Sequence, residues 1–276
     1  MTDVNISTVP IQSGGGIVPV KPAKRSYSRI YGKNEVLDGD YKLYQKVIAE
    51  LLGTALFVFG VCASGVCFGG YHPIVAILAG SFMGGLIIYL FGRVSGAHFN
   101  PAVSLALWIR DKLACQELIL YVVAQILGGV IGCILLALIR RGRFEELAGN
   151  AIQWYLITTD RDSVSKNAWC YISALISEII GTFILIMFIL ASCERDNYLG
   201  PLLGLAFASV LISLNVIGGN ISGCSLNPAR SLAPAVIQVM AGGDKDPIKQ
   251  IWIYLVGPLL GAVIAAFVWP FFFYPH

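Results

Sequence analysis

The sequence predicts an all-α membrane protein with six transmembrane helices and two re-entrant half-helices in an inverted 3+3 repeat. Three observations predict this fold class: the composition, the lengths of the apolar segments, and two motifs that each occur twice. Of the 276 residues, 57% are hydrophobic and 13% are charged, whereas soluble domains carry about 25% charged residues. The composition therefore excludes an ordinary soluble enzyme, and the net charge of +3 is too small for a nucleic-acid-binding surface.

Six apolar segments are long enough to cross a bilayer, because about 20 helical residues span its hydrocarbon core of roughly 30 Å. Two shorter apolar segments begin at Asn100 and Asn227, and with about 10 to 14 residues each they reach about halfway across. We therefore expect six full spans and two half-spans. The full spans are expected at 47–68, 73–92, 114–139, 168–193, 199–219 and 250–272.

Residues 1–45 are polar and lack the apolar surface that independent folding requires. We expect them to form a flexible tail ahead of a membrane domain at 46–273. Lysines and arginines precede the first span, from Lys21 to Lys46, so the positive-inside rule places the N-terminus in the cytoplasm. An even number of spans returns the C-terminus to the same side, and the bilayer can be the plasma membrane or that of an intracellular vesicle.

Two motifs of the first half recur in the second half. The segment ELLGT at 50–54 recurs as EIIGT at 178–182, and SGAHFNPA at 95–102 recurs as SGCSLNPA at 222–229. Because three spans separate the copies, the second copy enters the membrane from the opposite face, which defines an inverted repeat. The two repeats cover about 46–140 and 168–273.

The tripeptides Asn100-Pro101-Ala102 and Asn227-Pro228-Ala229 both predict the start of a short helix. Asparagine is a preferred N-cap, and proline is favoured at the first helical position. In an inverted repeat the two N-termini meet near the midplane, where irregular backbone is tolerated only inside protein or along a wet cavity. The positive dipole ends disfavour cations and protons, while both asparagine amides can donate hydrogen bonds to a neutral molecule.

With these two boxes and Arg230 after the second, the sequence resembles the aquaporin, or major intrinsic protein, family over about residues 46–273. The resemblance implies a passive water channel that excludes protons and ions, needs no cofactor and forms a homotetramer with one pore per subunit. The family's narrowest point corresponds by spacing to Gly80, Asn215, Cys224 and Arg230. Water-selective members commonly place an aromatic residue and a histidine at the first two positions, so the resemblance implies a wider constriction that also admits small neutral solutes.

Two alternative functions remain open. An aquaglyceroporin-type channel would pass glycerol, urea, ammonia or hydrogen peroxide. A coupled secondary transporter also fits an inverted repeat, but it would need an ion site, for which Glu50 and Glu178 are the intraspan carboxylates. Their recurrence favours a structural role, in which each accepts hydrogen bonds from the unwound backbone beside a half-helix. No nucleophile-and-base pair or metal cluster in the sequence indicates an enzyme.

Tyrosines near the cytoplasmic mouth suggest gating, because an aromatic ring is large enough to plug a pore a few ångströms wide. One candidate is Tyr31 in the N-terminal tail, and the other is Tyr198 in the loop 193–198. The sequence leads to the hypothesis that one of these segments partly closes the channel at rest.

Overall fold

The computed structural model describes residues 41–68, 72–153, 168–193 and 199–273, except for the side chain of Pro201. The gating candidates Tyr31 and Tyr198 and nearly all of the predicted tail lie outside these residues.

The described residues form helices, and shorter helices lie between the long ones in chain order. Six helices are long and apolar enough to cross a membrane, as predicted. The helices are α1 (Leu43–Phe68), α2 (Pro73–Ser95), α3 (Pro101–Ile109), α4 (Cys115–Ile139), α5 (Ala168–Ser192), α6 (Leu203–Ser222), α7 (Pro228–Met240), α8 (Asp246–Lys249) and α9 (Ile251–Phe273). The six candidate spans are α1, α2, α4, α5, α6 and α9.

Four helix boundaries differ by three or more residues from those predicted, and one of them is the end of α6, which continues to Ser222. Helix α1 begins at Leu43, inside the predicted tail, and Lys46 Nζ in its first turn pairs with Glu117 Oε1 at 2.8 Å. Helix α2 continues to Ser95 and ends where Gly96 adopts a φ of 89°, a left-handed C-cap that glycine accommodates without strain. Helix α6 begins only at Leu203, because a 3₁₀ turn, Gly200–Leu202, precedes it.

The two repeats are packed in the same way. Helix α1 contacts α2 and α4, and the equivalent α5 contacts α6 and α9. A Cβ atom at Gly132 would collide with the Ala55 carbonyl oxygen of α1, and one at Gly261 would collide with the Ile179 carbonyl oxygen of α5. Glycine therefore permits the close backbone approach that membrane helices use for packing.

Below, the face at which α1 begins and α9 ends is called the terminal face. The short helices return to opposite faces, so their N-termini lie between the spans, where the functional site is found. The outward surfaces of the spans carry large apolar side chains, such as Ile139 and Ile217, each 70% exposed. Such surfaces suit contact with lipid.

Candidate functional site

Helices α3 and α7 begin at the two Asn-Pro-Ala boxes. Asn100 and Asn227 have extended backbones and cap the helices, because Asn100 Oδ1 accepts a hydrogen bond from the Ala102 nitrogen at 2.9 Å. In the second repeat Asn227 Oδ1 accepts one from the Ala229 nitrogen at 3.0 Å. The side-chain oxygens are thus used within each half-helix, as expected for N-cap residues.

The side-chain nitrogens of the two asparagines join the repeats. Asn100 Nδ2 donates to the Leu226 carbonyl oxygen at 2.7 Å, and Asn227 Nδ2 donates to the Phe99 carbonyl oxygen at 2.8 Å. Each amide is therefore fixed by the residue that precedes the other asparagine. These reciprocal bonds bring the N-termini of α3 and α7 together.

Both asparagines line a central cavity whose wall is otherwise largely apolar, with Phe57, Leu185 and Leu211 among its lining residues. A side-chain amide nitrogen carries two hydrogens, and the carbonyl described above takes one of them. The second hydrogen of each amide can be donated to a molecule in the cavity. The arrangement can orient a small hydrogen-bond acceptor between two apolar surfaces.

Glu50 is fully buried in α1 and holds the loop that leads into α3. Its Oε1 accepts hydrogen bonds from Ser95 Oγ at 2.6 Å and from the His98 nitrogen at 2.9 Å. Its Oε2 accepts one from the Phe99 nitrogen at 2.7 Å. Because Phe99 has a φ of 49°, which a bulky side chain rarely adopts, these bonds stabilise an irregular backbone.

Glu178 makes the equivalent contacts in the second repeat. Its Oε1 accepts hydrogen bonds from Ser222 Oγ at 2.7 Å and from the Ser225 nitrogen at 2.9 Å. Its Oε2 accepts one from the Leu226 nitrogen at 2.8 Å, and Leu226 has a φ of 55°. Both carboxylates are thus occupied by donors of the loops before the half-helices.

The residues assigned to the narrowest point lie on three elements. Gly80 is buried in α2, and a Cβ atom there would lie 3.2 Å from Ser64 Oγ of α1. Asn215 is half-buried in α6, and its Nδ2 donates to the Leu211 carbonyl oxygen at 2.8 Å. The Cys224 thiol is also engaged, because its Sγ lies 3.2 Å from the Leu214 carbonyl oxygen, to which it donates.

Arg230 is buried in the first turn of α7, where its Nη1 donates to Asn150 Oδ1. The same oxygen accepts a hydrogen bond from Ser231 Oγ at 2.9 Å, and Asn150 Nδ2 donates to the Gly223 carbonyl oxygen at 3.1 Å. Asn150 therefore connects the guanidinium to the backbone beside Cys224. A buried charge needs such partners, so Asn150 is a positioning residue for Arg230.

Sequence reasoning missed Asn150, which lies between α4 and α5 in a loop without a recognisable motif. The described part of this loop, residues 140–153, is held by long-range bonds: the Ile152 nitrogen donates to Gln250 Oε1 at 2.8 Å, and the Gln153 nitrogen donates to the Ile221 carbonyl oxygen at 3.1 Å. These pairings join residues distant in sequence. No local pattern could have indicated them.

The structural role of two buried tyrosines was also missed, although the repeat contains a signal for it. Tyr121 of α4 donates to the Ser95 carbonyl oxygen at 2.9 Å. Tyr254 of α9 donates to the Ser222 carbonyl oxygen at 2.6 Å. Each tyrosine thereby satisfies the last carbonyl of a helix that ends at a half-helix loop.

Residues 39–269 match the family described as Major intrinsic protein. The chain is 33% identical to nodulin-26 of Glycine max over 230 residues, which are 82% of this chain and 76% of that protein. It is 31% identical to aquaporin Z of Photorhabdus laumondii, over 84% of this chain and 98% of that one. The X-ray structure of the aquaglyceroporin from Plasmodium falciparum has the same fold, with a TM-score of 0.71 and 21% identity over 83% of this chain and 96% of that one.

Proposed function

The chain belongs to the major intrinsic protein family and is a passive membrane channel, and we propose that it conducts water while excluding protons and ions. The observation that supports this most directly is the pair of amides at the central cavity. Asn100 and Asn227 each keep one N–H for a passing acceptor, and the surrounding side chains are apolar. Water can therefore be held at one point and released along the remaining wall.

Exclusion of cations follows from fixed positive charge along the proposed path. The N-terminus of each half-helix carries the equivalent of about +0.5 elementary charge, and the reciprocal asparagine bonds hold both ends together. Arg230 adds a full charge in the first turn of α7. Protons and other cations meet an electrostatic barrier at this site, whereas neutral water does not.

A coupled transporter is the less favoured function, because the carboxylates that could bind an ion already have other partners. Glu50 accepts backbone hydrogen bonds from His98 and Phe99, and Glu178 accepts them from Ser225 and Leu226. An ion at either glutamate would displace these bonds and release the half-helix loop. The symmetric contacts support the structural role that their recurrence predicts.

Small neutral solutes are further candidates for passage. Gly80 contributes no side chain, and Asn215 is smaller than the histidine that water-selective members commonly carry, so the proposed filter is wide. The proteins similar to this chain include one described as an aquaglyceroporin and one described as an aquaporin, which correspond to a solute-conducting and a water-conducting channel.

In the proposed arrangement, both termini lie in the cytoplasm, on one side of a plasma or vesicle membrane. Four copies assemble with one pore each.

The proposal is tested by stopped-flow light scattering on one preparation of proteoliposomes, in which water and glycerol permeability are measured side by side. Water flux that rises linearly with the osmotic gradient and is indifferent to ion gradients supports a channel. Proton currents comparable with the water flux, or saturating flux that depends on an ion gradient, would refute it. Empty vesicles of the same lipid give the background.

A further inference from the structure

Two adjacent cavities follow α3 from the asparagines toward the terminal face. The central cavity contains Asn100 and Asn227, and the second contains Ser192, Cys193 and Leu203 from the ends of α5 and α6. The residues that line both cavities form the neck between them. These residues are Ile88, Ala97, His98, Val103 and Phe207.

Phe207 has the largest side chain of the neck. It lies in the second turn of α6 and is half-buried. Its ring centroid is 6.4 Å from that of Phe188 of α5, at an angle of 50°. One face of the pathway is therefore aromatic at the point where the two cavities join.

The ring of Phe207 packs against α2 at Gly84, one turn before the neck residue Ile88. A Cβ atom at Gly84 would lie 3.5 Å from Phe207 Cε1, 3.3 Å from Phe57 Cε2 and 3.0 Å from Leu211 Cδ1. The space that a larger residue at position 84 would occupy is thus filled by side chains from α1 and α6. Gly84 therefore leaves room for the ring of Phe207, which lines both cavities at their junction.

We propose that Phe207, facing Gly84, is a specificity-determining residue that limits the size and polarity of solutes on the terminal-face side of the asparagines. This inference rests on the proposed channel function and assigns the selection against polyols to the neck rather than to Gly80 and Asn215. An aromatic ring offers no hydrogen bond to a hydroxyl group. His98 is the one polar side chain among the five neck residues, so a polyol that loses its hydration there leaves some of its hydroxyls unpaired, whereas water, ammonia and hydrogen peroxide expose fewer such groups.

The test is Phe207→Ala in the full chain, reconstituted at equal density with the unmodified protein. We expect glycerol permeability to rise about tenfold, because the smaller side chain leaves room for a water molecule that pairs with one glycerol hydroxyl and one such hydrogen bond corresponds to about that factor, while water permeability stays within about a factor of two. Phe267→Ala is the matched control, because Phe267 is 63% exposed on α9 and lies on neither cavity's wall. It should leave both permeabilities unchanged.

The double variant Gly84→Val, Phe207→Ala places a side chain from α2 in the space that the Phe207 ring leaves and is expected to restore exclusion of glycerol. If Phe207→Ala does not fold, Phe207→Leu is measured instead, with a smaller rise expected. Unchanged glycerol permeability in a folded variant that still conducts water overturns the role of Phe207 and leaves the water channel intact. Absence of water flux through the unmodified protein refutes the proposed function itself.

Discussion

Gln125 Nε2 donates a hydrogen bond to Glu50 Oε2 at 2.8 Å, so the first repeat contains a polar contact that the second does not reproduce. Tyr121 and Tyr254 occupy equivalent positions in the two repeats and lie 133 residues apart. The same spacing pairs Gln125 with Pro258, whose side chain has no donor. Among the described residues, Glu50 thus accepts four hydrogen bonds and Glu178 three.

The first prediction is that Glu50→Gln destabilises the protein more than Glu178→Gln. An amide has one acceptor oxygen, and its nitrogen would face groups that also donate, at a cost of about 1–3 kcal/mol for each buried group left unpaired. The measurement is the thermal unfolding midpoint in detergent. Glu117→Gln is the control, because its partly exposed pair with Lys46 contributes about 0–1 kcal/mol. A stable Glu50→Gln variant that loses only ion-driven transport would instead support a transporter.

The second prediction concerns glycines at helix contacts. A Cβ atom at Gly128 would meet the Leu51 carbonyl oxygen and lie 3.1 Å from Thr54 Cβ, and backbone cannot move aside as a side chain can. We expect Gly128→Ala to lower the free energy of unfolding by about 1–3 kcal/mol. Gly219→Ala is the matched control, since no atom lies within 4 Å of its added Cβ. Equal thermal unfolding midpoints for Gly128→Ala and Gly219→Ala would contradict the packing argument.

The fold could be predicted because its main signals are periodic or repeated. Apolar length indicated the six spans, and the paired Asn-Pro sequences indicated both half-helices, since each residue type has a defined role at a helix start. Helix ends were predicted less well, because they depend on contacts between residues that are distant in sequence. An example is the pair that Lys46, in the first turn of α1, forms with Glu117. The bond between Arg230 and Asn150 was missed for the same reason.

The third prediction is that Asn150→Ala lowers both stability and water permeability. The substitution removes the acceptor shared by Arg230 and Ser231, so the guanidinium is released from the wall beside Gly223. We expect water permeability to fall about tenfold or more, because one lost hydrogen bond to a charged group is worth about 1.5–3 kcal/mol and about 1.4 kcal/mol corresponds to a factor of ten. Gln153→Ala is the control in the same loop, because its side chain donates only locally, to the Ala151 carbonyl oxygen. An effect of Gln153→Ala equal to that of Asn150→Ala would show general loop loosening.

The fourth prediction addresses gating by the segments around Tyr31 and Tyr198. Deletion of residues 1–35, and separately Tyr198→Ala, is expected to raise water permeability per channel, because a ring that occupies the mouth would be removed. Permeability is compared in oocytes or vesicles at equal channel density. Tyr44→Ala is the control, since Tyr44 is 59% exposed on the first turn of α1. Unchanged permeability in both test variants rejects gating by these segments.

The last prediction concerns the filter, where Gly80 and Asn215 replace the aromatic residue and histidine of water-selective relatives. We expect the unmodified channel to pass hydrogen peroxide, and Gly80→Phe with Asn215→His to reduce that passage about tenfold, equivalent to about 1.4 kcal/mol. A Cβ atom at Gly80 requires the Ser64 hydroxyl, 3.2 Å away, to shift by a few tenths of an ångström, whereas Val61 Cγ2 and Cα, at 3.5 and 3.6 Å, are at ordinary contact distance.

Gly80→Ala is the control for this filter variant, since it adds a Cβ atom without a ring. Peroxide entry is measured with a reporter enclosed in the vesicles, beside water permeability in the same preparation. Water permeability should fall less than peroxide permeability, because water is the smaller molecule and Asn100 and Asn227 still offer their amides to it. If the unmodified channel passes water alone, the wide-filter interpretation of Gly80 and Asn215 is wrong, and selection against peroxide occurs elsewhere along the path.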